Sequence, residues 1–595
     1  MGNKRWHLRN KRKSVFKGNQ FVRQEKMKKK EEEHVSLRPR PDLSNNDETN
    51  PVADSLETDF NMIMHFPILQ DLFSEFARCP LEGCNSLLKV TTGLENKNGL
   101  CYSLKVICTA CEFSKCVNTS KQQDNSKRAK AGKPFFDINL RTVLAMRELG
   151  KGYEGLVKFC TIMNMANPMS NSSFSNCLDE IHFALELEKE LSQKKVALLV
   201  HADEKTDLTD TAQCTVSIDG SWQKRGYSSI NGVVTCMYGD KCLDCHVLSK
   251  HCKACAKWSK ADKTSPEYLE WNANHICPAN HAGSSSSMES AGAIQIFKRS
   301  VDKFNLQYTK YLGDGDSSSF SAVNQSHPYG ADVEIQKLEC IGHIQKRVGG
   351  RLRALKLKMR GRKLSDGKGI AGKGRLTDSA VNKLQNYFGI ALRTNLDSIY
   401  VMKKCIYASL FHNSMLEEKK RHQFCPPTKE SWCTWQKEIA EKGVTEFKPK
   451  LNIPQAIFDV IMPIYKELTN DKLLEKCLHG KTQNSNEALH GLIWQRCPKT
   501  TYCGKKVVEI GTASAICHMN DGSKSISNVL DRMGLQTGTE AAKGFDRSVR
   551  KRKRLRLRQE SERCKRRRKQ LRSLKKGWND TVMEQEGVTY GAGQF

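Results

Sequence analysis

The sequence predicts an α/β protein, with a mixed sheet, flanking helices and a large helical insertion. From Gln213 onward the chain has strand-like runs, the first of which, 215–218, leads directly into Asp219. Over 139–191 and again over 352–470, apolar residues recur at helical spacing instead. The two patterns together predict a sheet core with helices before it and helices inserted within it.

The 595 residues are enough for three or four domains of about 100–200 residues each. Residues 1–57 are rich in Lys, Arg, Glu and Asn and predict a disordered basic tail. The further segments are a zinc-ribbon-like module over 58–120, a helical region over 135–195, the first part of the core over 210–350 with a zinc insertion at about 236–285, a helical insertion over 351–475, the rest of the core over 476–540 and a second disordered basic tail over 541–595. The helical region suits DNA binding or dimerisation, and simple structural support is at least as compatible with its pattern.

The charge balance predicts an anionic partner. Lys and Arg total 97 against 65 Asp and Glu, a net charge of +32, and nucleic acid is the usual partner for such an excess. No apolar run approaches the roughly 20 residues of a bilayer span, so we expect no membrane association. Basic clusters split by a short acidic spacer within 547–576 suit nuclear import and phosphate contact.

Acidic residues stand at the ends of two predicted strands and at the start of a predicted helix. Asp219 follows the strand of TVSIDGSW, Asp314 and Asp316 follow that of YLGDGDSSSF, and Glu487 lies in TQNSNEALHGLIW. One such residue alone is more often a helix cap or a surface group. Carboxylates that converge from distant segments can instead hold two Mg²⁺ or Mn²⁺ ions, which activate a water or a 3′-hydroxyl and stabilise the leaving oxygen.

The order of these elements, strand–Asp, strand–Asp, helical insertion and helix–Glu, is that of an RNase H-like transposase core. The stretches DGSWQKRGYSSINGVVTC, YLGDGDSSSFSAV, LECIGHIQKRVGGRLRALK, GRLTDSAVNKLQNYFGIALR and NSNEALHGLIWQRCPK resemble the Mutator-like transposase domain of animal mobile elements. The resemblance covers about residues 60–540. Cys340 and His343 match the Cys-x-x-His signature that this family carries between the second Asp and the Glu.

The resemblance implies a DDE-type enzyme that cleaves DNA at element ends and transfers the strand to a target. Its catalytic residues would be Asp219, Asp314 or Asp316, and Glu487, with His343 positioning a phosphate or the flanking DNA. Asp316 is slightly preferred over Asp314, since it stands where it would open the next helix. Double-stranded DNA, a homodimer or larger synaptic complex, and a nuclear location are implied as well. Two alternatives stay open: a catalytically inactive DNA-binding relative, and an RNase H-like nuclease that cuts without joining.

The chain has 24 cysteines and no secretory signal, which favours zinc over disulfides. The first candidate site is a zinc ribbon made of two Cys pairs, and the second lies between the first two catalytic positions. The ribbon set is Cys79, Cys84, Cys108 and Cys111, and the second set is Cys252, Cys255, Cys277 and His281. In the second set His275 could replace His281 as a ligand, and Cys242 or Cys245 could compete with the other cysteines for the zinc ion. Two weaker sets are His412, His422, Cys425 and Cys433, and Cys477, His479, Cys497 and Cys503.

A basic helix just after Cys340–His343 is the predicted surface for the cleaved strand. Its side chains are Lys346, Arg347, Arg351, Arg353, Lys356 and Lys358. A solvated helix face is the plain alternative. Trp222 and Arg225, just after Asp219, could stack on or brace the DNA, although burial is the commoner role of a tryptophan.

Overall fold

A computed structural model describes the chain over most of its length. The described residues are 60–93, 97–128, 130–224, 228–314, 318–443, 451–564, 566–568 and 570–571, together with the backbone of two short strands. Those strands, β1 (Ser14–Lys17) and β2 (Gln20–Arg23), pair antiparallel within a unit of their own, residues 1–58. The predicted basic tail over 1–57 otherwise lies outside the described residues.

A small antiparallel sheet occupies the segment for which the sequence predicts a zinc ribbon. It follows α1 (Phe66–Phe76), and its strands are β3 (Leu88–Thr91), β4 (Lys97–Asn98), β5 (Cys101–Cys108) and β6 (Ser114–Asn118). The strand β5 pairs with the other three. A sheet this small buries little apolar surface, so other links between its strands and loops have to stabilise it.

The central sheet has five strands of mixed direction. They are β7 (Ala212–Trp222), β8 (Asn231–Tyr238), β9 (Lys241–Ser249), β10 (Leu306–Gly313) and β11 (Gln336–Glu339). Across the sheet the order is β11–β10–β7–β8–β9. The three strands β7, β10 and β11 are parallel, whereas β8 runs antiparallel to both of its neighbours, β7 and β9. The protein is therefore α/β with a mixed sheet, as the sequence predicts.

Both faces of the sheet are buried, which explains the long apolar runs of its strands. On β8, Val234 and Cys236 point into one hydrophobic cluster, and Val233 and Met237 belong to another on the opposite side. The first cluster is closed by α7 (Ser287–Lys298). The connecting elements α8 (Ser300–Phe304) and α9 (Ser318–Gln325) complete this layer.

The predicted zinc insertion is shorter than expected. The sequence places it at about 236–285, but β9 lies within that range and is the buried edge strand of the sheet. Its cysteines made the segment look like part of a metal module, whereas two of them pack in the core. The insertion proper follows Ser249 and contains α5 (Lys253–Lys257) and α6 (Pro266–Asn274).

The helical insertion forms a hydrophobic core of its own, which includes Val348, Phe388, Ile406 and Ile457. It starts at Ile341, ten residues earlier than predicted, because the basic helix belongs to it. Its helices are α10 (Ile341–Lys358), α11 (Asp378–Thr394), α12 (Ile399–Phe411), α13 (Glu418–His422), α14 (Thr434–Lys442), α15 (Gln455–Leu468) and α16 (Asp471–Glu475).

Among the described residues, four C-terminal helices follow the insertion, and the first two of them cover the second face of the sheet. The four helices are α17 (Asn484–Arg496), α18 (Lys505–Asp521), α19 (Ser525–Arg532) and α20 (Thr539–Glu560). Leu489 and Ile493 of α17 pack in the same cluster as Val233 and Met237. The predicted disorder from 541 is wrong for the first part of that segment, which is helical to Glu560.

The N-terminal helical region is integrated with the C-terminal helices. It contains α2 (Asp137–Glu148), α3 (Tyr153–Ile162) and α4 (Asn171–Asp203). Leu140 and Ile181 share one buried cluster with Ile510 and Val529. This packing ties the region to the C-terminal helices, and its role in DNA binding, dimerisation or support stays a prediction. Among the described residues, no helix is both long and apolar enough to cross a bilayer.

Candidate active site and metal centres

Two of the predicted acidic residues lie at one edge of the central sheet. The pairing of β7 with β10 ends at Ser217 and Leu312, and the parallel direction brings the next residues of both strands to the same edge. Asp314 follows β10 directly. The sequence analysis places Asp219 at the end of its strand, and this is corrected: β7 continues past Asp219 to Trp222 alongside β8.

Glu487 reaches the same edge from the first turn of α17. Two amides anchor that helix start to the backbone of β7: Gln483 Nε2 donates to Ile218 O at 2.8 Å, and Asn486 Nδ2 donates to Ser217 O at 3.2 Å. Both amide side chains are buried, so the bonds are shielded from water. The sequence QNSNE, residues 483–487, therefore provides two docking contacts as well as a carboxylate.

His343 stands between Asp314 and Glu487. Its Nδ1 lies 3.0 Å from Asp314 Oδ1, and its Nε2 lies 4.0 Å from Glu487 Oε1. The imidazole is 18 % exposed, whereas the two carboxylates are 57 % and 55 % exposed. Cys340, three residues earlier, is buried beside Leu312 and Leu338, so it packs beneath this site as the sequence suggests.

Two cations of the same helix complete this side of the cluster. Lys346 Nζ lies 3.4 Å from Glu487 Oε1, and Arg347 Nη2 lies 3.8 Å from Asp314 Oδ1. Arg347 is also held at 3.0 Å by Glu339 Oε2. The first two turns of α10 therefore bring three basic groups to the acidic edge of the sheet.

Asp219 occupies an electrostatic environment that disfavours its negative charge. Burial above all, and with it the nearby carboxylates of Glu289, Glu487 and Asp314, raises its pKa to about 7, against a lowering effect of His343. A carboxyl with that pKa is poised to exchange its proton for a metal cation at neutral pH.

The fourth acidic residue, Glu289, is one that the sequence analysis missed. It lies in the first turn of α7, and a Cβ on Gly220 would come within 2.8 Å of its Cγ. Because Gly220 has no side chain, Glu289 can approach β7 closely. Seventy residues and the zinc insertion separate Glu289 from Asp219, and the surrounding serine run gave no sign of their proximity.

His490 is a second missed neighbour of Asp219. Its Nδ1 lies 3.5 Å from Asp219 Oδ2, and its Nε2 lies 3.0 Å from the Thr235 hydroxyl. Burial lowers the pKa of His490 to about 4, so the ring is neutral at pH 7 and orients Asp219 without adding charge. The position of His490, three residues after Glu487, is one helical turn away and was the available signal.

The four cysteines of the predicted ribbon come together. Cys79 Sγ lies 3.5 Å from Cys111 Sγ, and Cys84 Sγ lies 3.6 Å from Cys108 Sγ. All four sulfurs lie within 4.8 Å of one another. The Ala110 N–H donates to Cys108 Sγ at 3.3 Å and lowers the pKa of that thiol to about 6. The group could hold a zinc ion, which binds thiolates.

The second group assembles with a different histidine from the one predicted first. His275 Nε2 lies 3.3 Å from both Cys252 Sγ and Cys255 Sγ, and Cys277 Sγ lies 3.6 Å from Cys255 Sγ. The assignment of His281 is therefore corrected, because its Nε2 is bonded to Ser284 O and Ser287 Oγ near the start of α7. This Cys₃His group could also hold zinc.

The competing ligands for this group are excluded by their positions. Cys242 and Cys245 lie on β9 and belong to the hydrophobic cluster beneath α17. Burial raises the pKa of Cys242 well above its usual value. Both therefore act as buried apolar side chains of the sheet.

A comparison with protein families decides the identity of the chain. The model of the Mutator-like transposase family matches residues 61–433. The chain belongs to the Mutator-like transposase family. The matched range contains Asp219, Asp314, His343 and both cysteine groups, and it ends before Glu487. Neither the curated proteins nor the solved structures contained a match.

In this Mutator-like transposase, the predicted DNA contacts of α10 divide into two sets. Lys346 and Arg347 face the acidic cluster. Arg351 instead pairs with Glu467 at 2.5 Å, and Arg353 Nη2 donates to Asn382 Oδ1 at 2.6 Å. Arg351 and Arg353 therefore bind neighbouring helices of the insertion.

Three other predicted positions have different outcomes in the transposase. Trp222 packs against the core, and its Nε1 donates to Ser285 O at 2.5 Å, which favours the packing role over stacking on DNA. Arg225 and Asp316 lie outside the described residues. The preference for Asp316 thus stays a prediction.

The last predicted metal set is Cys477, His479, Cys497 and Cys503. Within the described part of the transposase, its ligand atoms do not come together at metal-binding distances. In that set, His479 Nε2 is bonded to the backbone carbonyls of Glu339 and Lys476, and Cys477 donates to Leu473 O. The remaining set, His412, His422, Cys425 and Cys433, does come together.

Proposed function

We propose that this transposase cleaves DNA at element ends and joins the freed strand to a target, using divalent metal ions held by Asp219, Asp314 and Glu487. The observation that carries the proposal is that these three carboxylates lie near one another at one edge of the sheet, with His343 between Asp314 and Glu487. They come from β7, from the residue after β10 and from the start of α17, which are separated by 94 and 172 residues in the sequence. Three mutually repelling carboxylates at one edge of a sheet are better explained by a bound cation than by a structural role.

The sheet topology supports an RNase H-like core. Its first strand, β7, is central, with the antiparallel pair β8 and β9 on one side and the parallel strands β10 and β11 on the other. The carboxylates stand on the first strand, after the fourth strand and on a later helix, which is the order that the family resemblance implies. The long helical insertion between the second and third carboxylates fits the same plan.

The residues fit magnesium or manganese. Carboxylate oxygens are the ligands that these hard cations prefer. The pKa of Asp219 is raised by burial and then by the neighbouring carboxylates, and a bound cation would offset both effects. When bound, two such ions would activate a water or a 3′-hydroxyl and stabilise the leaving oxygen. The exposure of Asp314 and Glu487 leaves the site open to a DNA backbone.

We assign the second carboxylate to Asp314. Its contacts with His343 and Arg347 support this choice, which reverses the slight preference of the sequence for Asp316. His343, Lys346 and Arg347 are placed to bind and orient phosphate oxygens once the carboxylates engage metal. These residues neutralise the charge of the strand without taking part in bond making.

We further propose that the partner is double-stranded DNA, bound by a dimer or larger assembly in the nucleus. The net charge of +32 supports the first part, and the basic, exposed helix α20 supports nuclear import. Binding should weaken linearly with the logarithm of salt concentration, with a slope of about −0.9 per phosphate contacted. A slope near zero in a titration with element-end DNA would contradict a phosphate-based interface.

The test of the proposed chemistry is a cleavage and joining assay with Mg²⁺ and a DNA that carries the flanking element ends. Asp219→Asn and Glu487→Gln keep the side-chain shape but remove the charge, so we expect both to lose cleavage and joining while they retain DNA binding. Asp332→Asn is the matched control, since Asp332 is exposed and lies in the loop before β11. Full activity in either of the first two variants would contradict the proposal.

A further inference from the structure

The helical insertion contains a cluster of two histidines and two cysteines that the catalytic proposal does not use. His412 is the residue after α12, His422 ends α13, and Cys433 directly precedes α14. Cys425 lies between His422 and Cys433 in the sequence. His422, Cys425 and Cys433 are buried, and His412 is half-buried.

The distances within this cluster are those of a metal site. Cys433 Sγ lies 3.5 Å from His412 Nδ1 and 3.4 Å from His422 Nδ1. Cys425 Sγ lies 3.7 Å and 3.9 Å from the same two nitrogens. A tetrahedral zinc ion, with Zn–S of about 2.3 Å and Zn–N of about 2.0–2.1 Å, separates sulfur from nitrogen by about 3.6 Å.

Hydrogen bonding alone does not account for the four contacts. Each Nδ1 carries either one proton or one lone pair, so the two nitrogens support two well-directed hydrogen bonds with the sulfurs. Four short S···N distances around one point instead fit a single central cation. The mixture of soft thiolate and imidazole ligands is the set that zinc prefers.

Two tryptophans hold the imidazole rings in place. His422 stacks on Trp435, with the ring centroids 4.5 Å apart and the planes 4° from parallel. His412 meets Trp432 edge to face at 5.2 Å. Both rings are thereby turned so that Nδ1 points to the sulfurs, as supporting contacts do at metal sites.

We propose that His412, His422, Cys425 and Cys433 form a third, structural zinc site, which ties the end of α12 to α13 and to the start of α14. The surrounding segment needs such a link. None of the described residues of α14 is buried, and α13 is only five residues long, so apolar packing contributes little to their order. A metal that binds four side chains of this segment would supply the missing stability.

The first test is the zinc content of the full chain, purified without chelator. We expect Cys433→Ser and His422→Ala each to lose one zinc per chain relative to the parent. Cys405→Ser is the matched control, because Cys405 is a half-buried thiol of the neighbouring α12 that bonds to Asn395, and it should lose none. An equal zinc content in the parent and both variants would overturn the proposal.

A second measurement avoids substitution, in case a variant fails to fold. The parent chain loaded with ¹¹³Cd²⁺ should give a resonance for a two-sulfur, two-nitrogen site, separate from those of four-sulfur and three-sulfur sites. Hydrogen exchange over 413–442 should also accelerate when the ion is removed, while the central sheet stays protected. Absence of the two-sulfur, two-nitrogen resonance would overturn the site.

Discussion

At the scale of single residues, Asp219 is an acid of the candidate active site whose pKa the fold raises. It is partly buried, and the carboxylates of Glu289, Glu487 and Asp314 surround it. An unfolded aspartate has a pKa of about 3.9. The raised value in the folded protein means that ionising Asp219 costs folding stability.

This shift predicts a pH-dependent stabilisation by magnesium. Without metal, the contribution of Asp219 to the free energy of unfolding falls as the pH rises from about 4 to about 7, because the unfolded chain loses the proton first. Mg²⁺ relieves the repulsion between the ionised groups. We therefore expect Mg²⁺ to raise the melting temperature clearly at pH 8 and little at pH 5.5. The effect should disappear in Asp219→Asn, and an unchanged increase in that variant would contradict the assignment.

A second residue-scale prediction concerns the Cys₃His group. His275→Ala should release one zinc per chain, since His275 Nε2 lies 3.3 Å from two of the sulfurs. His281→Ala is the matched control and should keep the full zinc content, because His281 is bonded to serines instead. Zinc analysis of both purified variants decides between them, and the reverse pattern would show that the assignment is wrong.

Sequence reasoning found residues whose chemistry is visible locally and missed those that only the fold brings near. Asp219, Asp314 and Glu487 stand at the predicted ends of strands or at the predicted start of a helix, so their patterns pointed to a shared edge. Glu289 sits on an unremarkable amphipathic helix, and its closeness to Asp219 depends on how α7 crosses the sheet. The choice between His275 and His281 depended in the same way on the path of the loop after α6.

At the scale of elements, the apolar runs of β7, β8 and β10 were predictable, whereas β9 and β11 were not. The residues of β9 include two cysteines, an aspartate and a histidine, which resemble a metal module more than a strand. Asp244 is buried within β9 and pairs with Arg299 at 2.7 Å and with Lys303 at 3.0 Å. These tertiary ion pairs compensate the buried charge of Asp244 in the sheet. No local sequence pattern indicates them.

The close packing of α7 on the sheet predicts a large effect of a small substitution. A Cβ on Gly292 would lie 2.5 Å from Val234 Cγ2 and 3.0 Å from Leu248 Cδ1. Gly292→Ala should therefore lower the free energy of unfolding by about 1–3 kcal/mol, measured by urea denaturation.

The control for this prediction is Gly350→Ala, in the interior of α10. A Cβ there would meet no atom of the described residues within 4 Å, so the helix propensity of alanine should stabilise that variant by about 0.5–1 kcal/mol. Equal effects of the two substitutions would mean that α7 does not lie against β8 and β9 as closely as described.

At the scale of the whole molecule, the ion pair between Arg496 and Glu148 helps to join the N-terminal helices to the C-terminal part of the core. Arg496 of α17 donates to Glu148 of α2 at 2.7 Å and 3.0 Å, and Arg496 is buried. Removing Glu148 would leave this guanidinium with an uncompensated buried charge. The sequence separation of 348 between the partners explains why sequence patterns did not connect the two regions.

Glu148→Ala should therefore destabilise the protein by about 3 kcal/mol, with a loss that spreads to both regions in hydrogen exchange. Glu154→Ala, at an exposed position of the adjacent α3, is the control and should have little effect. If only the N-terminal helices lost protection in Glu148→Ala, the two regions would fold independently, contrary to their shared core.

The central claim, that the three carboxylates bind catalytic metal, is tested most directly by changing the preference for the ion. In Asp219→Cys and Glu487→Cys a soft thiolate replaces a hard carboxylate, and Mn²⁺ accepts sulfur ligands more readily than Mg²⁺. We predict that both variants are inactive in DNA cleavage with Mg²⁺ and regain measurable cleavage with Mn²⁺, while Asp332→Cys is active with either ion. Full activity of Asp219→Cys or Glu487→Cys with Mg²⁺, or inactivity of both with Mn²⁺ when DNA binding is intact, would contradict the account.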